Sequence, residues 1–207
     1  MKLVEPYQSV DEAMKELDNG GRFYNLWTKA DDGVISSAEL AKVAGIFSDK
    51  QKMVLYLQMA MCKLSADQKT SIIANLEDSL KQSFGDHKVE AILNCLPTTA
   101  MELGKNVMIK GTPKQIESKS DFNGFIMVPI MTGSVTTFSM IPIIDQYEVY
   151  EIRSETDEKF TLAHAKGAHL PEEELIVGGV IKELKASKND DEAAKFFVEA
   201  VYYAKAK

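Results

Sequence analysis

The stretch that decides the fold is FIMVPIMTGSVTTFSMIPIIDQYEVYEIR, residues 125–153. It combines short apolar runs with segments in which apolar and polar residues approximately alternate, as in β-strands. Gly133-Ser134 interrupts the pattern with residues that favour a tight hairpin turn. We therefore predict three antiparallel strands here, at 125–131, 135–144 and 146–153.

The same pattern continues on both sides of this stretch. Further strands are predicted at 107–112, 114–122, 159–165 and 174–184. Gly178-Gly179 lies inside the last of them and predicts a bulge or a sharp bend. Short strands at this spacing are typical of a small barrel or a strongly curled sheet.

The chain is predicted to end in a helix at about 190–206. Acidic residues stand at its start and lysines at its end, which matches the helix dipole. Phe197, Ala200, Val201 and Ala204 recur there at helical spacing. Residues 105–207 therefore predict a small antiparallel β-barrel-like domain, OB-like or similar, with a C-terminal helix.

The first half of the chain has a helical period instead. Ser9, Ser36 and Ser65 are each followed three residues later by Glu or Gln, which is the capping-box pattern of a helix start. The stretch MVLYLQMAMCKL (53–64) is apolar nearly all round, so it predicts a central helix. Helices are predicted at about 9–19, 22–30, 36–47, 48–64, 65–85 and 87–96. The whole chain is thus predicted to be α+β, with a helical module over 1–104.

Composition restricts the classes of function. The 207 residues carry a net charge of −7, divided into −4 for residues 1–104 and −3 for residues 105–207, which disfavours a nucleic-acid binder. No apolar run is long enough to span a membrane, and MKLVEPYQSVDE at the start has no apolar core of a secretory signal. Only two cysteines are present, which fits a reducing compartment. We expect a cytoplasmic protein.

One loop in the helical half resembles the calcium-binding loop of an EF-hand. Reading Thr28 as its first position places Asp32, Gly33 and Glu39 on positions five, six and twelve of that pattern. Thr28 and Ala30 stand where the pattern needs carboxylate or similar ligands. Since calcium affinity depends on the number of such ligands, we expect no calcium binding at physiological levels.

A second candidate site lies in AHAKGAHLPEEE, residues 163–174. His164, His169 and Glu172 could supply a histidine–histidine–carboxylate metal site or part of an active site. The alternative is that His164 lies on a strand face and His169 in a solvated turn. No nucleophile motif or phosphate-binding loop accompanies them, and no cofactor is expected.

The strand half also contains a methionine-rich set that could contact a partner. Methionine adapts to irregular partner surfaces, although in a core it more often fills gaps. The candidate partner residues are Met127, Met131, Phe138, Met140 and Tyr150. We expect a non-catalytic binding or scaffold protein that recognises a protein or a small ligand through a face of the β-domain or a cleft between the halves. The alternatives are an enzyme or metal site at His164 and His169, and an OB-like binder of single-stranded nucleic acid.

Overall fold

The structure is a computed structural model. It describes residues 1–20, 29–94, 102–117, 124–132, 135–153, 159–167, 169–184 and 195–206. The contacts between residues divide the chain into two units, Lys2–Ala91 and Ile92–Lys207, the second together with Met1. Helices dominate the first unit and strands the second, which confirms a mixed α+β protein. The domain boundary near Gly104 stays a prediction.

The first unit is helical because its sequence contains helix-capping residues and one apolar helix against which the other helices can pack. Its described elements are β1 (Lys2–Leu3), α1 (Val10–Leu17), α2 (Ser37–Ala44), α3 (Lys50–Ala60), α4 (Ala66–Ala74) and α5 (Asp78–His87). The capping boxes at Ser36 and Ser65 are confirmed, and Ser9 caps α1. Helix α3 is buried along most of its length, as expected for a central helix. Within the described ranges, no helix is long and apolar enough to cross a membrane.

Two predicted helices in this region are wrong, and a third cannot be compared. The helix predicted over 65–85 is divided between α4 and α5, because Leu76 leaves the helix to form a β-bridge with Ile35. The Ile35 amide donates to the Asn75 carbonyl at 2.8 Å. The helix predicted over 87–96 is replaced in part by a strand at Ile92–Leu93. Residues 22–28 of the helix predicted over 22–30 lie outside the described residues.

The described residues of the second unit form strands and one short helix. Its described elements are β2 (Ile92–Leu93), β3 (Asn106–Gln115), β4 (Phe125–Thr132), β5 (Val135–Pro142), α6 (Ile143–Gln146), β6 (Tyr147–Arg153), β7 (Lys159–Ala165), β8 (Leu175–Leu184) and β9 (Lys195–Lys205). The prediction at 159–165 coincides with β7. The strand predicted at 107–112 and the first two residues of the strand predicted at 114–122 form one continuous strand, β3. Residues 116–117 lie beyond its end, and residues 118–122 lie outside the described residues.

Five of these strands pair in a ring. Strand β3 pairs with β6, β6 with β7, β7 with β9, β9 with β8, and β8 with β3. All these pairs are antiparallel except β7 with β9, which is parallel. Each of the five strands sends buried side chains into one cluster, which holds Val107, Ile109, Tyr150, Ile152, Phe160, Leu162, Leu170, Leu175, Val177, Ile181, Val198 and Ala200. This cluster is the core of the unit.

The predicted C-terminal helix is wrong, because Lys195–Lys205 is strand β9. Val198 and Ala200, two positions apart, both lie in the core of the ring, and Glu199 between them does not, as expected for a strand. The sequence pattern was ambiguous, since apolar residues at 197, 200, 201 and 204 also match a helix face. The aromatic and β-branched residues in KFFVEAVYYAK favour a strand, and pairing with β8 satisfies its backbone. The predicted helix start at 190–192 lies outside the described residues.

The bulge predicted at Gly178-Gly179 is confirmed. Gly178 pairs with Tyr202 and Gly179 with Ala200, so Val201 is an extra residue on β9. A Cβ atom at Gly179 would lie 2.5 Å from the Glu199 carbonyl oxygen and would overlap the Val198 side chain. Only glycine allows the two backbones to approach this closely.

We expect Gly179→Ala to lower the free energy of unfolding by about 1–3 kcal/mol, the usual cost of overpacking. Urea denaturation followed by circular dichroism measures it, and hydrogen exchange of the β8 and β9 amides localises it. Gly85→Ala is the matched control. Gly85 lies in α5 with open space around its Cα, so alanine there should stabilise by about 0.5–1 kcal/mol. Equal effects of the two substitutions would contradict the close-approach argument.

Candidate binding surface on the β4–β5 ribbon

Strands β4 and β5 form a separate two-stranded sheet, which we call the β4–β5 ribbon. They pair antiparallel from Phe125↔Pro142 to Thr132↔Val135. Because side chains alternate across a strand, this register assigns every second residue to one face. We name this side the Met/Phe face; it comprises Phe125, Met127, Pro129, Met131, Thr136, Phe138, Met140 and Pro142.

The Met/Phe face is apolar and open to solvent. Met127 is 42 % exposed, Phe138 63 % and Met131 77 %, and Met140 is partly exposed. Residues 124–144 contain no charged side chain, in a chain of which 27 % is charged. Four of the five predicted partner residues therefore come together on one exposed, uncharged surface.

The opposite face of the ribbon anchors it to the rest of the unit. Ile126 packs against an outer cluster formed by Ile143, Val149, Ala163, Leu184 and Phe197. Ile130, further along the same strand, is 46 % exposed. The ribbon is thus held near the end that contains Ile126, while Met131 and Phe138 of its Met/Phe face remain largely exposed.

Every second residue of each strand in the ribbon points its backbone N–H and C=O groups away from the partner strand, toward an outer edge. The Ile143 amide donates to the Gly124 carbonyl at 2.9 Å, which extends the ladder of Ile126↔Ile141 and Val128↔Ser139 by one pair. In an antiparallel ladder, hydrogen-bonded pairs alternate with pairs that are not hydrogen-bonded. Residues of the Met/Phe face belong to the second kind, so their N–H and C=O groups point to the outer edges.

Both prolines occupy positions that are not hydrogen-bonded in the β4–β5 ladder. Pro129 and Pro142 lie on the Met/Phe face, where no ladder donor is needed. Proline lacks a backbone N–H and is therefore accommodated at such positions, where the backbone faces an outer edge of the sheet. Pro129 also removes the donor in the middle of the β4 edge. The β5 edge keeps the amides of Thr136, Phe138 and Met140.

A cavity of about 350 Å³ runs along the β4 side of the ribbon. One wall is apolar and includes Met127, Pro129 and Phe197. The other wall is polar: the Tyr147 hydroxyl donates to Glu199 Oε1 at 3.2 Å, and Lys182 Nζ lies 3.8 Å from Glu199 Oε2. Burial, together with the Glu199 carboxylate, raises the pKa of Tyr147 to about 12, so the hydroxyl keeps its proton at neutral pH.

Sequence reasoning missed Tyr147, Lys182 and Glu199 as cavity residues. They come from β6, β8 and β9, which are far apart along the chain. The one signal available was a charged residue inside an otherwise apolar strand, as at Lys182 and Glu199. Such a residue does not show which other strands it will meet.

Tyr150, the fifth predicted partner residue, does not belong to this surface. It is 1 % exposed and lies in the core of the strand ring. Its hydroxyl oxygen accepts a hydrogen bond from the Leu170 amide at 3.1 Å. Burial raises the pKa of Tyr150. Its ring stacks on His164, with ring centroids 5.5 Å apart.

The histidine candidates have different environments. His164 is 1 % exposed and its Nδ1 lies 2.8 Å from the Ala165 carbonyl oxygen, so Nδ1 carries the proton. Its Nε2 is buried with no hydrogen-bond partner among the described residues. Burial lowers the pKa of His164, while the Ala165 carbonyl and Glu148 act in the opposite direction. The buried ring is therefore neutral at neutral pH.

His169 lies largely in solvent and contacts a carboxylate. Its Nδ1 is 3.0 Å from Glu148 Oε2, and the same oxygen accepts from Gln115 Nε2 at 2.8 Å. Glu148 pairs with His164 across β6 and β7, so it is the residue that connects the two histidines. Glu172 is exposed. In the part of the chain that the structure describes, no three His, Cys, Asp or Glu side chains are placed to hold a metal ion.

In the EF-hand-like loop, the carboxylates accept hydrogen bonds from backbone amides. Glu39 is fully buried; its Oε1 accepts from the Gly20 amide at 2.5 Å and its Oε2 from the Ser36 amide at 2.9 Å. Asp32 Oδ1 accepts from the Val34 amide at 3.0 Å. Asp18 binds the Gly33 amide at 2.7 Å. These bonds give each carboxylate a structural role in holding the loop before α2.

Comparison with known proteins adds no family. No family model and no curated protein matches the chain. The function must therefore be argued from the site itself.

Stability is expected to fall as the pH falls below about 6.5. An unfolded histidine takes up a proton near that pH, whereas burial keeps His164 neutral in the folded protein to a lower pH. The unfolded state then binds more protons, so acid favours unfolding. His164→Phe should remove this contribution. The slope of the unfolding free energy against pH should then decrease by the equivalent of about one bound proton.

The control for this measurement is His169→Gln, because the His169 ring is exposed and its loss leaves the buried ring in place. Urea unfolding across about pH 5–8 gives the slopes. If His169→Gln removed the dependence and His164→Phe kept it, the role assigned to the buried ring would be wrong.

We expect Glu39→Gln to destabilise the helical unit by about 1–3 kcal/mol, because an amide nitrogen would face backbone donors. Thermal unfolding in calcium and in chelator should show the same loss. Glu12→Gln is the matched control at an exposed cap and should change stability by at most about 0.5 kcal/mol. Calcium-dependent stabilisation of the wild type that Glu39→Gln abolishes would instead show an ion site.

Proposed function

We propose that this chain is a non-catalytic binding protein that recognises a protein partner through the Met/Phe face of the β4–β5 ribbon. The observation that carries the proposal is an exposed apolar face with no charged residue along 21 positions, 124–144. Contiguous exposed apolar surface on a globular unit usually marks an interaction site. Methionine side chains suit such a site because they repack against different partner shapes.

The scaffold that presents the ribbon is, in this proposal, an OB-like β-barrel formed by the ring of five strands. Its first strand, β3, pairs with its second and fourth, and its third and fifth pair in parallel. OB-folds are five-stranded Greek-key barrels that use the face of their second and third strands for ligands. Here that face belongs to β6 and β7.

A protein partner fits this surface better than a nucleic acid does. The outer cluster with Ile126, Ile143 and Val149 covers part of the outward side of β6 and β7. Tyr150 and Phe160, which could have stacked bases, are buried in the ring. Net charge over residues 105–207 is −3, whereas single-strand binders need a basic groove.

The histidine site supports catalysis or metal binding less well than the ribbon supports a partner. His164 is enclosed, and its cross-strand neighbour Glu148 is engaged with Gln115 and His169. A reacting group or an ion would need access to Nε2 of His164. The Met/Phe face, in contrast, is already exposed.

The proposal is tested by placing a photo-crosslinking residue at position 138 in the native host and purifying the adduct. The identified protein is then titrated against purified chain. Phe138→Ser and Met131→Ser should each weaken binding about tenfold or more, as expected when a central apolar contact is lost. Both side chains are exposed, so the stability of the chain should change little.

Leu103→Ser is the matched control, because Leu103 is 59 % exposed and lies outside the ribbon. It should leave binding unchanged. Adducts that form equally well from position 103, or binding that is insensitive to Phe138→Ser, would overturn the proposal.

A further inference from the structure

The outer edge of β5 presents a row of backbone hydrogen-bonding groups that no strand of the described residues pairs with. Thr136, Phe138 and Met140 belong to pairs of the β4–β5 ladder that are not hydrogen-bonded, so their amides and carbonyls point outward. Within the described residues no second strand pairs with β5. Such an edge can accept a strand from another chain.

The β4 edge is less suited to this. Pro129 removes the central donor, and the cavity along β4 carries Lys182 and Glu199. Both features restrict pairing with an extended segment, the first by removing a hydrogen bond and the second by requiring desolvation of charges. The two edges of the ribbon are therefore not equivalent.

Exposed side-chain area also favours strand pairing. Taking about 200 Å² for a fully exposed residue of this size, Met127, Met131 and Phe138 together expose roughly 350–400 Å². A stable face-to-face interface needs about 800 Å² from each partner. These three side chains therefore supply at most about half of that area, and backbone hydrogen bonds along the β5 edge would add to the affinity.

Charge decides what kind of segment fits. Residues 124–144 are uncharged, so a charged residue of the partner opposite them would be desolvated without a counter-ion. A second copy of the chain also carries −7, and two copies repel each other at low ionic strength. The complementary partner is a different protein with an uncharged segment and no surrounding excess of acidic residues.

We infer that the ribbon binds an extended, uncharged segment of a partner protein, which adds as a strand to the outer edge of β5. This rests on the proposed function and specifies its partner. Side chains of the segment that lie beside Phe138 and Met140 are apolar. Those that lie beside Thr137 and Ser139 on the other face are small and polar. The segment is thus alternately apolar and polar, and about as long as the eight residues of β5.

The test selects from a displayed library of random eight-residue peptides with the full-length protein as bait. We expect enrichment of alternating apolar and small polar residues without acidic ones. The consensus peptide is then titrated against Thr136→Pro, which removes an outward amide, and against the control Thr136→Val, which keeps it. Thr136→Pro should weaken binding about tenfold or more and Thr136→Val should not.

A second arm needs no change to the protein and covers the case in which Thr136→Pro disturbs the ribbon. Two versions of the consensus peptide are prepared, one N-methylated at the odd-numbered residues and the other at the even-numbered residues. An added strand donates hydrogen bonds to β5 from only one of these two sets of amides, so one peptide should lose binding and the other should keep it. Equal loss or equal retention would overturn strand addition.

Further outcomes separate this inference from the proposed function. If Phe138→Ser abolishes binding while Thr136→Pro and both N-methylated peptides leave it intact, the face binds a partner but not by strand addition. If no peptide is enriched while position 138 still crosslinks to a partner whose binding Phe138→Ser weakens, strand addition is wrong and the proposed function stands; if no variant weakens binding, both are wrong. Sedimentation that shows a dimer in the wild type and a monomer in Thr136→Pro would make a second copy the occupant and overturn the choice of partner.

Discussion

The pairing of β3 with both β6 and β8 is the constraint on which the strand unit depends. It joins the two ends of a row of strands, so that each of the five strands has neighbours on both sides. Their apolar faces then enclose one core. The β4–β5 ribbon forms a sheet of its own, and no further strand among the described residues pairs with it.

Closure of the ring requires the backbones of β8 and β9 to approach each other closely. Gly179 allows the two backbones to meet, and the extra residue Val201 lets β9 bend there. On the inner side of the ring, one histidine takes the place of an apolar residue. His164 stacks on Tyr150 and bonds to its own neighbour's carbonyl, so its burial links the stability of the ring to pH.

Much of the secondary structure could be predicted from local signals. Capping at Ser36 and Ser65 depends on residues three positions apart, and the strand at 159–165 on simple alternation. The C-terminal helix was predicted wrongly because KFFVEAVYYAK satisfies both a helical and a strand period. Its neighbour β8 decided the outcome by pairing with it along its length. The division of the predicted helix at 65–85 likewise follows from a distant partner, Ile35.

The methionine-rich pattern of these strands predicted Met127, Met131, Phe138 and Met140 as partner residues, and the four lie on one face of the β4–β5 ribbon; their contact with a partner stays a prediction. The pattern could not separate Tyr150 from them, since an aromatic residue on a strand looks the same whether its face is inside or outside. By itself, the sequence determined many of the helical and extended segments and where charge is absent. Tertiary structure decided which faces are buried, which edges stay open and which distant residues meet, because these depend on strand pairing across long sequence separations.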